Sequence, residues 1–181
     1  GILNGIDYQS WDPATDDVLV KNYTTETLNK REWNKRALQI EAGLPIGPAP
    51  LLGVVSRLDP QKGLDLLAQV LPLVLRDSNV GLVLLGNGDA SIQAAFQQLA
   101  VGFPERVALH FRFDERLARR IYGGADMMLV PSRYEPCGLV QMIALRYGAV
   151  PLVRATGGLC DTVKDCDLDV VNGTGFVFDA F

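Results

Sequence analysis

Three side chains in this sequence have the types and surroundings to work on a phosphorylated substrate: Arg57, Lys62 and Glu135. A guanidinium offers phosphate a planar fork and an ammonium a mobile point charge, so together the two cations can neutralise a diphosphate and stabilise it as it leaves. Glu135 stands in Ser132-Arg133-Tyr134-Glu135-Pro136-Cys137-Gly138-Leu139, ahead of apolar residues at helical spacing from Gly138 to Tyr147. Pro136 disfavours helical backbone at Glu135 and itself suits a first helical position, which predicts a carboxylate at the rim of a turn directly before a helix. A helix start presents unpaired N–H groups and the positive end of the peptide dipoles. The amides of Gly138, Leu139 and Val140 are the expected anion cradle. Taken singly, these residues have plainer readings as two surface cations at a strand-helix junction and an exposed turn acid.

The elements that must position them alternate from Leu51 onward. Short apolar runs at 51–56, 81–85, 106–111, 126–130, 150–153 and 176–178 alternate with helical patterns at 63–76, 90–101, 115–123 and 138–147. Continuous hydrophobic runs between helices imply a parallel sheet covered on both faces, and hence an α/β fold with a doubly wound, Rossmann-like sheet. Arg57 then ends the first strand, Lys62 opens the next helix, and Glu135 follows the fourth strand. All three fall at the carboxyl edge, where open α/β sheets bind ligands. Pro72 falls inside the first of these helices, where a bend is expected.

Other loops at that edge are ambiguous. Gly86-Asn87-Gly88-Asp89 reads as a nucleotide-proximal turn or equally as a tight turn with Asp89 as helix N-cap, and no third glycine completes a dinucleotide fingerprint. Thr156-Gly157-Gly158 permits close backbone approach to a ligand or to a neighbouring strand. Phe113 follows the third strand. His110, the one histidine, lies in an apolar run and reads as a satisfied structural residue.

The first fifty residues form a lead-in with one candidate helix from about Thr25 to Ala42, stopped by Gly43 and a Pro/Gly-rich stretch ending at Pro50. Lys30, Arg31, Lys35 and Arg36 on that helix read as a solvated face. The division is a lead-in over 1–50 and one domain over 51–181. With 48% hydrophobic residues and a net charge of −4, the chain has no basic field to recruit nucleic acid or an anionic membrane. Cys137, Cys160 and Cys166 are odd in number and lack metal-ligand spacing, so neither a disulfide framework nor a zinc site is expected and a reducing cytoplasm is; for Cys137 and Cys160 buried, small-hydrophobe roles are expected. The chain begins without Met and inside a motif, as a fragment of a longer protein would.

The Ser132–Leu139 octet, Val55-Ser56-Arg57-Leu58-Asp59-Pro60-Gln61-Lys62-Gly63-Leu64-Asp65 and Arg154-Ala155-Thr156-Gly157-Gly158-Leu159 closely resemble the C-terminal nucleotide-sugar domain of bacterial glycogen synthases and plant starch synthases. Asn4-Gly5-Ile6-Asp7-Tyr8-Gln9-Ser10-Trp11-Asp12-Pro13 resembles that domain's opening hinge, so the likeness covers essentially the whole chain. The resemblance implies the C-terminal half of a GT-B glycosyltransferase that moves glucose from ADP-glucose to the non-reducing end of an α-1,4-glucan, with retention and without metal or cofactor. It implies that Arg57 and Lys62 hold the distal phosphate and that Glu135 contacts the transferred glucose. Cys137, Gly138, Leu139, Val140, Gly86, Gly88, Thr156, Gly157 and Gly158 would surround the donor, with Phe113 against the adenine. Val140 stands where the family often has Thr or Ser, so one hydroxyl donor is missing. The glucan would be held by an N-terminal domain outside this sequence, and the chain alone is expected to bind nucleotide weakly without transfer. The setting implied is the cytoplasm in a bacterium or the plastid stroma in a plant. Two alternatives stand beside this reading: a related GT-B enzyme using a UDP-sugar, and a non-catalytic nucleotide-binding scaffold.

Overall fold

The computed structural model describes residues 4–167 and 170–180. Among these residues six strands form one parallel sheet: β1 (Leu51–Val55), β2 (Gly81–Leu85), β3 (Val107–His110), β4 (Met127–Val130), β5 (Val150–Arg154) and β6 (Phe176–Phe178). Their order in the sheet is β3-β2-β1-β4-β5-β6, so the winding reverses between β1 and β4. That reversal is the switch point at which doubly wound sheets open a ligand crevice. β1 pairs with β2 along its whole length, from Leu51 opposite Gly81 to Val55 opposite Leu85. Its register with β4 runs only through Leu52 opposite Met127 and Gly53 opposite Met128. Beyond Gly53 the two strands part, and the crevice lies there.

Side-chain alternation along each strand feeds two cores. Leu52, Val54, Leu82 and Leu84 point to the face covered by α2 (Leu64–Asp77) and α3 (Ala90–Gly102), where they meet Leu67, Leu71, Leu75, Ile92 and Phe96. Leu51, Val83, Leu85 and Met128 point to the opposite face. There they pack on α4 (Glu115–Gly124) through Leu117, Ile121 and Tyr122, and on α5 (Val140–Arg146) through Ile143 and Ala144. Each fully buried leucine contributes about 1.5–3 kcal/mol of transfer free energy. Burial on both faces is why the strands are readable as runs.

The lead-in shares the second core. Leu19, Tyr23 and Leu38 are buried in it, the Tyr23 hydroxyl donates to the Tyr147 carbonyl at 2.8 Å, and Trp11 stacks edge-on against Tyr122 and Tyr147. The expected single helix is a 3-10 segment at Thr25–Lys30 followed by α1 (Arg31–Glu41), with non-helical dihedrals at Thr27 where its hydroxyl caps Thr24 N–H instead. Two of the basic residues on this helix are not a solvated face. The Arg31 guanidinium donates to the carbonyls of Tyr122 and Ala125 at the carboxyl end of α4, where a helix leaves acceptors unpaired. Lys35 pairs with Asp126 at 2.7 Å, and Asp126 in turn accepts from the N–H of Leu51. α2 runs through Pro72 without interruption, with Leu67, Leu71 and Leu75 anchoring it on the sheet. A short α6 (Gly158–Thr162) follows β5.

Candidate functional site

The loop after β1 is held by backbone bonds before any side chain is considered. Leu58 N–H donates to the Asn87 carbonyl, and Asp59 caps a 3-10 turn at Pro60–Lys62 by accepting from Gln61 N–H at 2.8 Å. Gly63 then takes the left-handed conformation at φ 65°, and a Cβ there would lie 2.0 Å from the Pro131 carbonyl oxygen. Glycine alone lets the β1 loop come this close to the β4 loop. The result is that Lys62 Nζ sits 2.5 Å from Glu135 Oε2, with the two side chains 20% and 12% exposed. Lys62 lies in the turn ahead of α2 rather than within the helix. Arg57 stays over the edge, 70% exposed and only 3.8 Å from Asp59.

The loop after β4 corrects an expectation. Pro136 does not open a helix; α5 begins at Val140 with Leu139 as its cap residue, and Gly138 lies outside it at φ 69°. The reason is Gln141. Its side-chain amide folds back to donate to the carbonyls of Cys137 and Gly138 and to Thr162 Oγ1, at 3.2, 2.9 and 3.0 Å, which stabilises a loop where helix was predicted. The Gly138 amide is therefore not part of a helix start. Glu135 also accepts from Ser132 Oγ at 3.1 Å. From the far side, Gly158 N–H donates to the Glu135 carbonyl at 3.0 Å. A Cβ on Gly157 or Gly158 would lie 2.2 Å from the carbonyl oxygen of Glu135 or Cys137 respectively. The glycine pair thus presses on the Glu135 loop from behind, and Thr156 starts that turn by accepting from Leu159 N–H.

Two clefts meet along Leu139 and Val140. One, of about 550 Å³, is largely apolar and is bounded by Val55, Arg57, Gly86, Phe113, Tyr122 and Ile143. The other, of about 460 Å³, contains Lys62, Glu135, Cys137 and Gly138. The first offers an apolar wall; the second is also largely apolar but brings in the paired charges of Lys62 and Glu135. Phe113, 93% exposed, stands at the rim of the apolar cleft. Gly86 lines that cleft and Gly88 does not; a Cβ on either would strike the carbonyl of Ser56 or Leu58, so both allow the β2 loop to lie against the β1 loop. Asp89 caps α3 by accepting from Ser91 and Ile92 N–H.

A sequence profile of the family described as glycosyl transferases group 1 matches residues 37–181. The chain belongs to this family. It is 46% identical over 181 residues to a glycogen synthase of Fervidobacterium nodosum, covering 100% of this chain and 37% of that protein. A glycogen synthase of Moorella thermoacetica is 53% identical over 179 residues, covering 98% of this chain and 36% of the relative. Among solved structures, the catalytic domain of starch synthase IV from Arabidopsis thaliana bound to ADP and acarbose superposes with a TM-score of 0.91 at 41% identity, over 99% of this chain and 38% of that one. The chain thus spans a little over a third of the length of these relatives. These likenesses fit a Rossmann-like half of a GT-B fold of glycogen or starch synthase type.

In this group 1 glycosyltransferase chain several neighbours of the site escaped the sequence reading. Ser132 and Gln141 hold Glu135 and its loop, yet nothing in their types or spacing marks them. Arg112 lines the apolar cleft with its guanidinium bound by Asp114 at 3.0 Å and close to His110 Nδ1 at 3.3 Å. His110 is not fully satisfied: its Nε2 is buried without a hydrogen-bond partner, and burial, then Arg112, holds its pKa below the ordinary imidazole value. Cys137 and Cys160 are exposed, which overturns the expectation of buried roles. Cys137 lines the cleft that holds Lys62 and Glu135; Cys160 and His110 bound neither cleft.

Proposed function

We propose that this chain is the donor-binding part of a retaining glucosyltransferase that moves glucose from ADP-glucose to the non-reducing end of an α-1,4-glucan. The observation that carries the reading is the Lys62–Glu135 pair at the switch point, in a cleft that adjoins a second, largely apolar one along Leu139 and Val140. In this reading Phe113 faces the base in the apolar cleft and Arg57 and Lys62 take the distal phosphate. Phosphate competes with Glu135 for the Lys62 ammonium. Donor binding therefore draws the cation toward the leaving group and frees the carboxylate for the sugar. As the glycosidic bond to phosphate breaks, the cations stabilise the departing diphosphate and Glu135 orients the glucose and stabilises positive charge at its anomeric carbon. Retaining glycosidases use a second carboxylate about 5 Å away across the bond. Among the described residues, Glu135 is the one carboxylate lining its cleft, which supports a charge-stabilising role over covalent attack. The glucan is held by polypeptide outside this sequence, in keeping with the share of the relatives that the chain spans.

Calorimetric titration with ADP, ADP-glucose and UDP tests this. We expect ADP binding to be lost when Arg57→Ala and Lys62→Ala are combined and kept in Glu135→Gln, which should lose only the extra affinity contributed by the glucose. A folded chain preferring UDP would move the assignment to a UDP-sugar enzyme, and one binding no nucleotide would overturn the donor-site reading.

A further inference from the structure

We propose that Asp65 and Arg133 are positioning residues: their ion pair ties the loop carrying Lys62 to the loop carrying Glu135 and so sets the reach between those two groups. The inference rests on the donor-site reading of Lys62 and Glu135 given above. Arg133 Nη1 and Nη2 donate to Asp65 Oδ1 and Oδ2 at 2.5 and 2.7 Å, the two-pronged geometry that fixes orientation as well as distance. The same guanidinium donates to the Pro60 carbonyl at 2.7 Å, Arg133 N–H donates to the Gln61 carbonyl at 2.8 Å, and the Gln61 side chain returns to the Tyr134 carbonyl at 3.0 Å. From β5, Arg154 donates to the Arg133 carbonyl at 2.9 Å.

Every bond between residues 60–65 and 133–134 crosses from the turn ahead of α2, or from the first turn of α2, to the loop after β4. They flank Lys62 on both sides and end next to Glu135. Fold stability does not explain such a cluster, because the Asp65 and Arg133 side chains are 41% and 40% exposed and exposed ion pairs contribute little to unfolding free energy. What they constrain is the separation of two groups that must each reach a different part of one ligand. The Arg133 guanidinium holds the Asp65 carboxyl below its usual range, which keeps the fork charged at neutral pH. A lysine at position 133 has one ammonium and cannot reproduce the fork.

The test has a ligand-free arm and a ligand arm on this chain. In the first, acylation of Lys62 by acetic anhydride is followed by peptide-resolved mass spectrometry in the parent, Asp65→Asn, Arg133→Lys and the conservative Asp65→Glu. With thermal midpoints close to the parent's, Asp65→Asn and Arg133→Lys should raise the Lys62 rate about tenfold, well short of what a full ångström of misplacement costs a reacting pair. Asp65→Glu should fall near the parent. In the second arm, the same variants should lose most of the affinity difference between ADP-glucose and ADP while ADP itself binds nearly as before. Equal Lys62 acylation in all four proteins would overturn the positioning role. Faster acylation in Asp65→Asn and Arg133→Lys, together with a parent that does not distinguish ADP-glucose from ADP, would leave positioning intact and overturn the donor-site reading instead.

Discussion

Gly63 shows how a single residue can decide whether the site exists. It joins a left-handed backbone to a 2.0 Å clearance problem at the Pro131 carbonyl, so no side chain is tolerated on either count. Gly63→Ala is expected to cost more than about 1 kcal/mol, because alanine at positive φ is strained even before the clash is counted. The same substitution should push the Lys62 loop off the Glu135 loop and weaken ADP binding more than an equally destabilising change in the far core. Urea unfolding and ADP titration on Gly63→Ala beside Leu75→Ala make that comparison. At this scale residue types made Arg57, Lys62 and Glu135 candidates, and the motifs shared with a known family, more than the types themselves, set them above surface cations and a turn acid. Their mutual geometry was not legible: the Lys62–Glu135 contact joins positions 73 apart and depends on β1 lying beside β4. Nor was the role of Gly157 and Gly158 settled, since a glycine pair reads alike whether a ligand or a neighbouring backbone comes close.

Elements were readable where local and tertiary preference agreed. The strand runs fell within a residue or two of the observed strands, since burial on both faces leaves little room for other patterns. The start of α5 was misread because Pro136 satisfies every local rule for a first helical position, while Gln141 supplies a competing set of bonds that only the folded loop makes available. Caps behaved as local chemistry predicts. Asp114 accepts from Leu117 N–H at 2.9 Å, and that bond, followed by Arg112, holds its carboxyl below the usual range. A depressed folded-state pKa gives stability that is present above the unfolded value and is lost as pH falls through the folded one. Asp114→Ala should thus cost about 1 kcal/mol at neutral pH, and its penalty should shrink toward zero at acid pH where the parent has lost the same contribution. Asp114→Asn should retain part of the cap with a flatter acid limb. Urea midpoints across pH for the three proteins check both.

At the scale of the whole molecule, the lead-in is a wall of the domain. Asp16 is nearly inaccessible, and its carboxylate accepts from Tyr147 Oη and pairs with Arg119 at 3.3 Å. Burial and this carboxylate push the Tyr147 phenol far above its ordinary range. Arg119 in turn lies 4.3 Å over the Trp11 ring, and Trp11 lines the apolar cleft. One buried charge therefore connects the first turn of the lead-in, the helix α4, the end of α5 and the apolar cleft. The composition of the lead-in marked it as distinct from the alternating segments; it held no sign that Asp16 would be buried, because that depends on residues 119 and 147 folding against it. Removing one partner of a buried pair leaves the other uncompensated and costs about 3–5 kcal/mol. Asp16→Ala should lose stability on that order, whereas Asp16→Asn, which still accepts from Tyr147, should lose less. Because Trp11 would be released along with Arg119, Asp16→Ala is also expected to weaken ADP binding from a position that touches no ligand. Paired unfolding and titration measurements decide this: a stability loss with unchanged ADP affinity would confine Asp16 to the core and separate the lead-in from the site.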